Sequence, residues 1–120
     1  MAPQSLLYTG IMDTKTVRKE FTKAFQEAYI NWYGFKPDGE AYRELTNTVY
    51  LYTLGGDADT LKELLGVPEG DRLRDYLNPE QMEMVCWAEK ALTYLFQKGY
   101  TKEKALSALW HEIRKHTSQA

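Results

Sequence analysis

Apolar side chains recur at spacings of three and four along most of this chain, and glycines and prolines break that rhythm into helix-sized pieces. The first run starts beside Asp13 and Thr14, both acceptable N-caps. It sets Val17, Phe21, Ala24, Ala28 and Trp32 on one face, widened by Phe25 and Tyr29. Gly34 stops it, and Lys36-Pro37-Asp38-Gly39 reads as a turn. A second helix is expected from about residue 40 to 52, with Tyr42, Leu45, Val49 and Tyr52 facing inward and Gly55-Gly56 ending it. Its tyrosines and threonines also suit a strand. Strict alternation is absent, though, and no second strand is available to pair with it.

Asp57 or Asp59 caps a short third helix through Leu65, with Leu61, Leu64 and Leu65 as its greasy side and Gly66 as a left-handed cap. Residues 67–77 are ambiguous. Pro68-Glu69-Gly70 reads as a turn, while Leu73 and Leu77 at i,i+4 fit one or two helical turns. The next start is the best marked: Asn78 as N-cap, Pro79 at the first helical position and Gln81 at the capping-box position. Met82, Val85, Ala88 or Glu89, Leu92 and Leu95 trace its stripe. Met84, Cys86, Trp87, Ala91 and Phe96 make most of its circumference apolar, as befits a central helix. Gly99 caps it. Thr101 opens a fifth helix whose Leu106, Leu109, Trp110 and Ile113 face the core. The pattern predicts an all-α fold, a compact bundle of four longer helices plus one short helix at 13–118, behind an N-terminal extension at 1–12.

Composition narrows the functions. A chain of 120 residues fits one domain, large enough to bury roughly two-thirds of its unfolded surface without staples. A net charge of −2 disfavours a protein that coats nucleic acid or a membrane electrostatically. No run approaches the roughly 20 apolar residues of a membrane helix. The first residues lack a basic stretch followed by an apolar one, so a cytoplasmic location is expected. The single cysteine, Cys86, lies among apolar neighbours and reads as a buried structural thiol.

No catalytic constellation emerges, and the pattern points to a non-enzyme without metal or cofactor. Residues 111–116 read HEIRKH, but the two histidines stand at i,i+5, about 140° apart, where one helix would need about 40° at i,i+4 to chelate zinc. His111 and His116 are expected as solvated surface groups. Glu80, Glu83 and Glu89 look like the charged flank of an amphipathic helix, and no phosphate-binding loop occurs.

Residues 59–77 could be a helix-turn-helix, in which case Arg72 and Arg74 would face a major groove. The stretch is acidic, however: Asp59, Glu63, Glu69, Asp71 and Asp75 outnumber Lys62, Arg72 and Arg74. Phosphate attraction supplies a large share of protein–DNA affinity, so nucleic acid is disfavoured. The one basic region runs from 98 to 116, where Lys98, Lys102, Lys104, Arg114 and Lys115 face Glu103 and Glu112. Arg72, Arg74, Lys98, Lys102, Arg114 and Lys115 are therefore the candidate contacts for a nucleic acid or an acidic partner. Four Phe, three Trp and nine Tyr form an aromatic surplus. Tyr29, Trp32, Tyr33 and Phe35, gathered where the first helix runs out, are candidate partner-binding residues or a dimer contact, because such rings are enriched at interfaces.

The segment from YRELTNTVY through LKELLGVPEGDRLRDYLNPEQMEMVCWAEKAL resembles the helical accessory region of bacteriophage and prophage antirepressors of the BRO type and of some DNA-damage-inducible relatives. There an "LTN…Y" helix, a small "LK/R…LG" helix and an "LRD.L…E" approach to a long helix recur in that order. The matching positions are Leu45, Thr46, Asn47, Tyr50, Leu61, Lys62, Leu65, Gly66, Leu73, Arg74, Asp75, Leu77 and Glu80. The resemblance implies a small phage or mobile-element regulator that binds a host or phage protein, as an antirepressor or as an inhibitor of a host defence or regulatory machine. In the longer relatives a separate DNA-binding domain accompanies this region, and 120 residues leave no room for one. The alternative is a DNA-binding transcriptional regulator using residues 59–77 and the basic last helix. Arg74 and Asp75 could also bridge neighbouring carbonyls and helix N-termini as structural residues. The aromatic surplus and modest charge further predict a homodimer.

Overall fold

The computed structural model describes residues 13–118, with side chains through residue 115; the expected extension at 1–12 lies outside them. Among the described residues five α-helices follow in order: α1 (Thr14–Tyr33), α2 (Gly39–Leu54), α3 (Ala58–Leu65), α4 (Pro79–Gln97) and α5 (Lys102–Ser118). A four-residue 3₁₀ turn, Leu73–Tyr76, stands between α3 and α4. No strand occurs among the described residues, so the all-α expectation holds.

The helix starts follow from side chains that satisfy the first, otherwise unpaired backbone N–H groups. Asp13 accepts from the N–H groups of Lys15 and Thr16 at 3.1 and 3.4 Å. Asp57, rather than Asp59, accepts from Thr60 N–H at 2.9 Å. Asp38, expected within a turn, is the cap of α2, bonding Ala41 N–H at 2.9 Å. That is why α2 begins at Gly39, ahead of its expected start; at its other end it runs past the expected limit to Leu54, where Gly55 caps it. Asn78 and Gln81 form the predicted reciprocal capping box, at 2.8 and 2.9 Å. Thr101 Oγ1 receives the Lys104 N–H at 3.2 Å.

Helix α4 packs against α1, α2 and α5. Its Val85, Ala88, Leu92 and Phe96 meet Phe21, Ala24 and Phe25 of α1, Leu45 and Val49 of α2, and Ala105, Leu109 and Ile113 of α5. Leu61 and Leu73 join the same cluster from α3 and the 3₁₀ turn. Cys86 is buried as expected.

Two apolar expectations need correction. Leu64 and Leu65 are exposed, because α3 leans on the 3₁₀ turn rather than on a long helix, and only Leu61 reaches the core. Trp110 is exposed as well. Helix α5 buries Ala105, Leu109 and Ile113, spaced four apart, which turns Trp110 to the rim against the Tyr52 ring, 5.0 Å away between centroids. Among the described residues no helix is long and apolar enough to cross a membrane.

Candidate functional site

The α4 stripe contains one residue that does not belong there by polarity. Glu89 lies one turn after Val85 and one turn before Leu92, and it is completely buried, correcting its reading as a charged flank. An unpaired buried carboxylate would be strongly disfavoured, so it needs cations beside it. Two are supplied. Arg18 of α1 donates from Nη1 to Glu89 Oε2 at 2.8 Å, and Arg74 of the 3₁₀ turn donates from Nη2 to the same oxygen at 2.5 Å. Arg18 also donates from Nη2 to Thr46 Oγ1 on α2 at 2.9 Å. The Arg74 guanidinium stands 5.8 Å from the centre of the Tyr50 ring. Glu89 Oε1 is buried without a hydrogen-bond partner among the described residues.

Burial pulls the Arg74 guanidinium toward losing its proton, but Glu89 and Tyr50 outweigh that and hold its pKa above the ordinary value. The same setting pushes the Cys86 thiol up, through burial first and the Glu89 charge second, which leaves it a poor nucleophile.

Several residues of the LTN and LRD segments are built into this cluster. Leu45 and Leu73 lie in the core, Arg74 pairs with Glu89, and Thr46 and Tyr50 contact the two arginines, Arg18 and Arg74 respectively. Asn47 Oδ1 accepts the Ala58 N–H at 3.0 Å and ties the start of α3 to α2. Arg74 is thus a structural ion-pair partner. Asp75 is exposed and sits 3.7 Å from Arg72, itself exposed.

Arg18 and Arg74 also line a surface groove of about 890 Å³. Its walls come from the start of α1, from Lys62 of α3 and from the chain around the 3₁₀ turn. Lys15, Arg18, Lys19, Lys62, Arg72 and Arg74 face it against Asp71 and Asp75, an excess of positive charge in a net-negative chain. The candidate contacts do not converge here as a set: Lys98, Lys102, Arg114 and Lys115 are not among its lining. Lys98 instead caps the Tyr94 ring at 5.3 Å, and Lys115 lies 3.9 Å from Glu112 in an exposed pair. Residues 59–77 form α3 followed by the short 3₁₀ turn; no second helix of several turns follows within that stretch to serve as a reading head.

The second site is aromatic. Tyr29, Trp32, Tyr33 and Phe35 are brought together at the end of α1, as the spacing predicts. Tyr29 and Trp32 are half-buried against the core, with Trp32 5.6 Å from the Phe96 ring. Tyr33 meets Tyr29 in a tilted pair with centroids 4.6 Å apart and lies 6.2 Å from Phe35. Tyr33 and Phe35 keep 51% and 61% of their surface exposed, and Ile30 lies exposed beside them. The inner rings of this shelf rest on Phe25, 5.6 and 6.2 Å away.

His111 is exposed along a shallow groove between α4 and α5, with Trp87, Tyr94 and Tyr100, while the side chain of His116 lies outside the described residues. No group of three or more metal-binding side chains occurs among the described residues. No family model, no curated protein and no solved structure matches this chain.

Proposed function

We propose that the protein is a binding module, not an enzyme, and that it regulates a host or phage protein by docking through the aromatic shelf at the end of α1. One observation carries this reading: Tyr33 and Phe35 are large, exposed and held by half-buried rings beneath them. Covered aromatic rings dominate interface energetics, and a preordered pair loses little side-chain freedom on binding. The resemblance to phage antirepressors supports a regulatory role for a mobile element, acting in the host cytoplasm as an antirepressor or as an inhibitor of a host machine. A homodimer through the same shelf is the alternative use of this surface, since a two-fold interface would cover these rings in place of the partner.

The test is the double substitution Tyr33→Ser with Phe35→Ser. Capture of the partner from host lysate should be abolished while the helical spectrum is retained. Capture that survives the substitution overturns the shelf as the binding surface. Light scattering that returns a monomer at high concentration removes the dimer. A salt-dependent shift of duplex DNA would instead favour the DNA-binding alternative.

A further inference from the structure

We propose that the groove above the Arg18–Glu89–Arg74 cluster is a second docking site, built for an acidic peptide segment of a partner protein. It is separate from the shelf. Arg18 and Trp32 are fourteen residues apart on α1, roughly 20 Å along the axis at about 1.5 Å per residue.

The cluster itself supplies the first argument. Two guanidiniums share a single carboxylate oxygen, so a positive charge is left over. That excess is largely withdrawn from water, with the Arg18 and Arg74 side chains 31% and 18% exposed. A desolvated cation is stabilised by an incoming anion more than an exposed one is. Each guanidinium carries about five N–H donors, more than Glu89, Thr46 and Tyr50 take up among the described residues. Both line the groove, and a carboxylate can accept two such donors side by side.

The second argument is the charge of the walls. Lys15, Lys19, Lys62 and Arg72 extend the positive field beyond the cluster. Asp71 and Asp75 interrupt it on the side of the 3₁₀ turn. A nucleic acid presents an unbroken run of phosphates, which those aspartates would meet unfavourably. A peptide can place its carboxylates on the lysines and leave neutral residues opposite the aspartates. Ala58 and Met82 in the lining give the aliphatic parts of such residues an apolar surface.

The experiment uses the full chain and a short, fluorescently labelled glutamate- and leucine-containing peptide, read by polarisation. Binding should be saturable and fall steeply with added salt, and a lysine-containing counterpart should not bind. Lys19→Glu with Lys62→Glu, both outside the buried cluster, should weaken the peptide by about tenfold or more at an unchanged melting temperature. Lys19→Gln with Lys62→Gln should weaken it less, and provides the reading if the charge reversal disturbs folding.

Absent saturable binding, or unchanged affinity in both variants, overturns the proposal. So does an oligonucleotide that binds more tightly than the peptide and is lost in the same variants, which would assign the groove to nucleic acid. The Tyr33→Ser/Phe35→Ser protein should keep the peptide affinity of the parent. Loss there would put the peptide on the shelf and remove the groove assignment, whereas loss of partner capture alone leaves it standing.

Discussion

Helix α1 breaks the ordinary rule of polarity at both ends, in opposite senses. In its first turns Arg18 reaches inward to a fully buried carboxylate that Arg74 also holds. In its last turn, and just beyond it, Tyr33 and Phe35 stand out in solvent. Charge is inside at one end and large rings are outside at the other. The two departures have different physical meanings. A buried ion cluster adds little net stability, because desolvation offsets the attraction between its charges, yet it penalises any packing that separates its members. An exposed ring on a half-buried base adds almost nothing to folding and keeps its apolar surface for whatever covers it. The first feature makes the fold selective, and the second is where binding energy remains available.

Glu89→Ala is the strongest way to break this comparison. It leaves two arginines without their shared anion, and a loss of about 3–5 kcal/mol in denaturant unfolding is expected. A loss under about 1 kcal/mol would mean that both side chains simply swing to water. Replacing the whole cluster sharpens the point. Arg18→Leu, Glu89→Leu and Arg74→Met together should restore the parent stability or exceed it by about 1–4 kcal/mol. A triple variant as unstable as Glu89→Ala would show that the cluster stabilises the fold outright.

At the aromatic end the inner and outer rings should separate. Phe25→Ala, beneath the shelf, should cost about 3–5 kcal/mol, because Phe25 is buried and meets Tyr29, Trp32, Tyr42 and Phe96. Tyr33→Ser with Phe35→Ser should cost under about 1 kcal/mol. If the outer pair is as costly as Phe25, the shelf belongs to the core and the contrast with Glu89 disappears.

The smallest effect is a pH dependence that begins at the charged end. Hydrogen bonds from Thr16, side chain first and then backbone, hold the Asp13 carboxyl below the usual aspartate range. The Thr60 backbone N–H does the same for Asp57. A carboxyl with a depressed folded pKa stabilises the fold above its unfolded value, and that contribution is lost as pH falls through the folded value. Helix content should therefore hold at neutral pH and begin to fall below about pH 4. Asp13→Ala should remove part of that dependence and loosen the Arg18 end of α1 in hydrogen exchange. Equal loosening at Tyr33 would show that the helix frays as one unit.

Much of this fold was legible from local chemistry. The start of α4 is written in Asn78, Pro79 and Gln81, and the first stripe, Val17 through Ala28, is buried as its spacing requires. The shelf was legible too, since Tyr29, Trp32, Tyr33 and Phe35 lie too close in the chain to be far apart in space. The groove was not. Arg72 and Arg74 were visible as candidates, but Lys15, Lys19 and Lys62 join them only through the packing of α1 and α3. The one available signal for the cluster was Glu89 on the apolar stripe of α4, where a carboxylate implies a buried partner. Nothing local could name Arg18, 71 residues away.

The sequence alone determined the five helical segments and, most sharply at Asn78, where they start, because caps, turns and periodicity act within a few residues of the chain. The tertiary structure decided which polar groups are inside and which rings are outside. Burial depends on what other helices bring to the same place: α1 and the 3₁₀ turn both bring an arginine to Glu89, while among the described residues no other helix covers the outer faces of Tyr33 and Phe35.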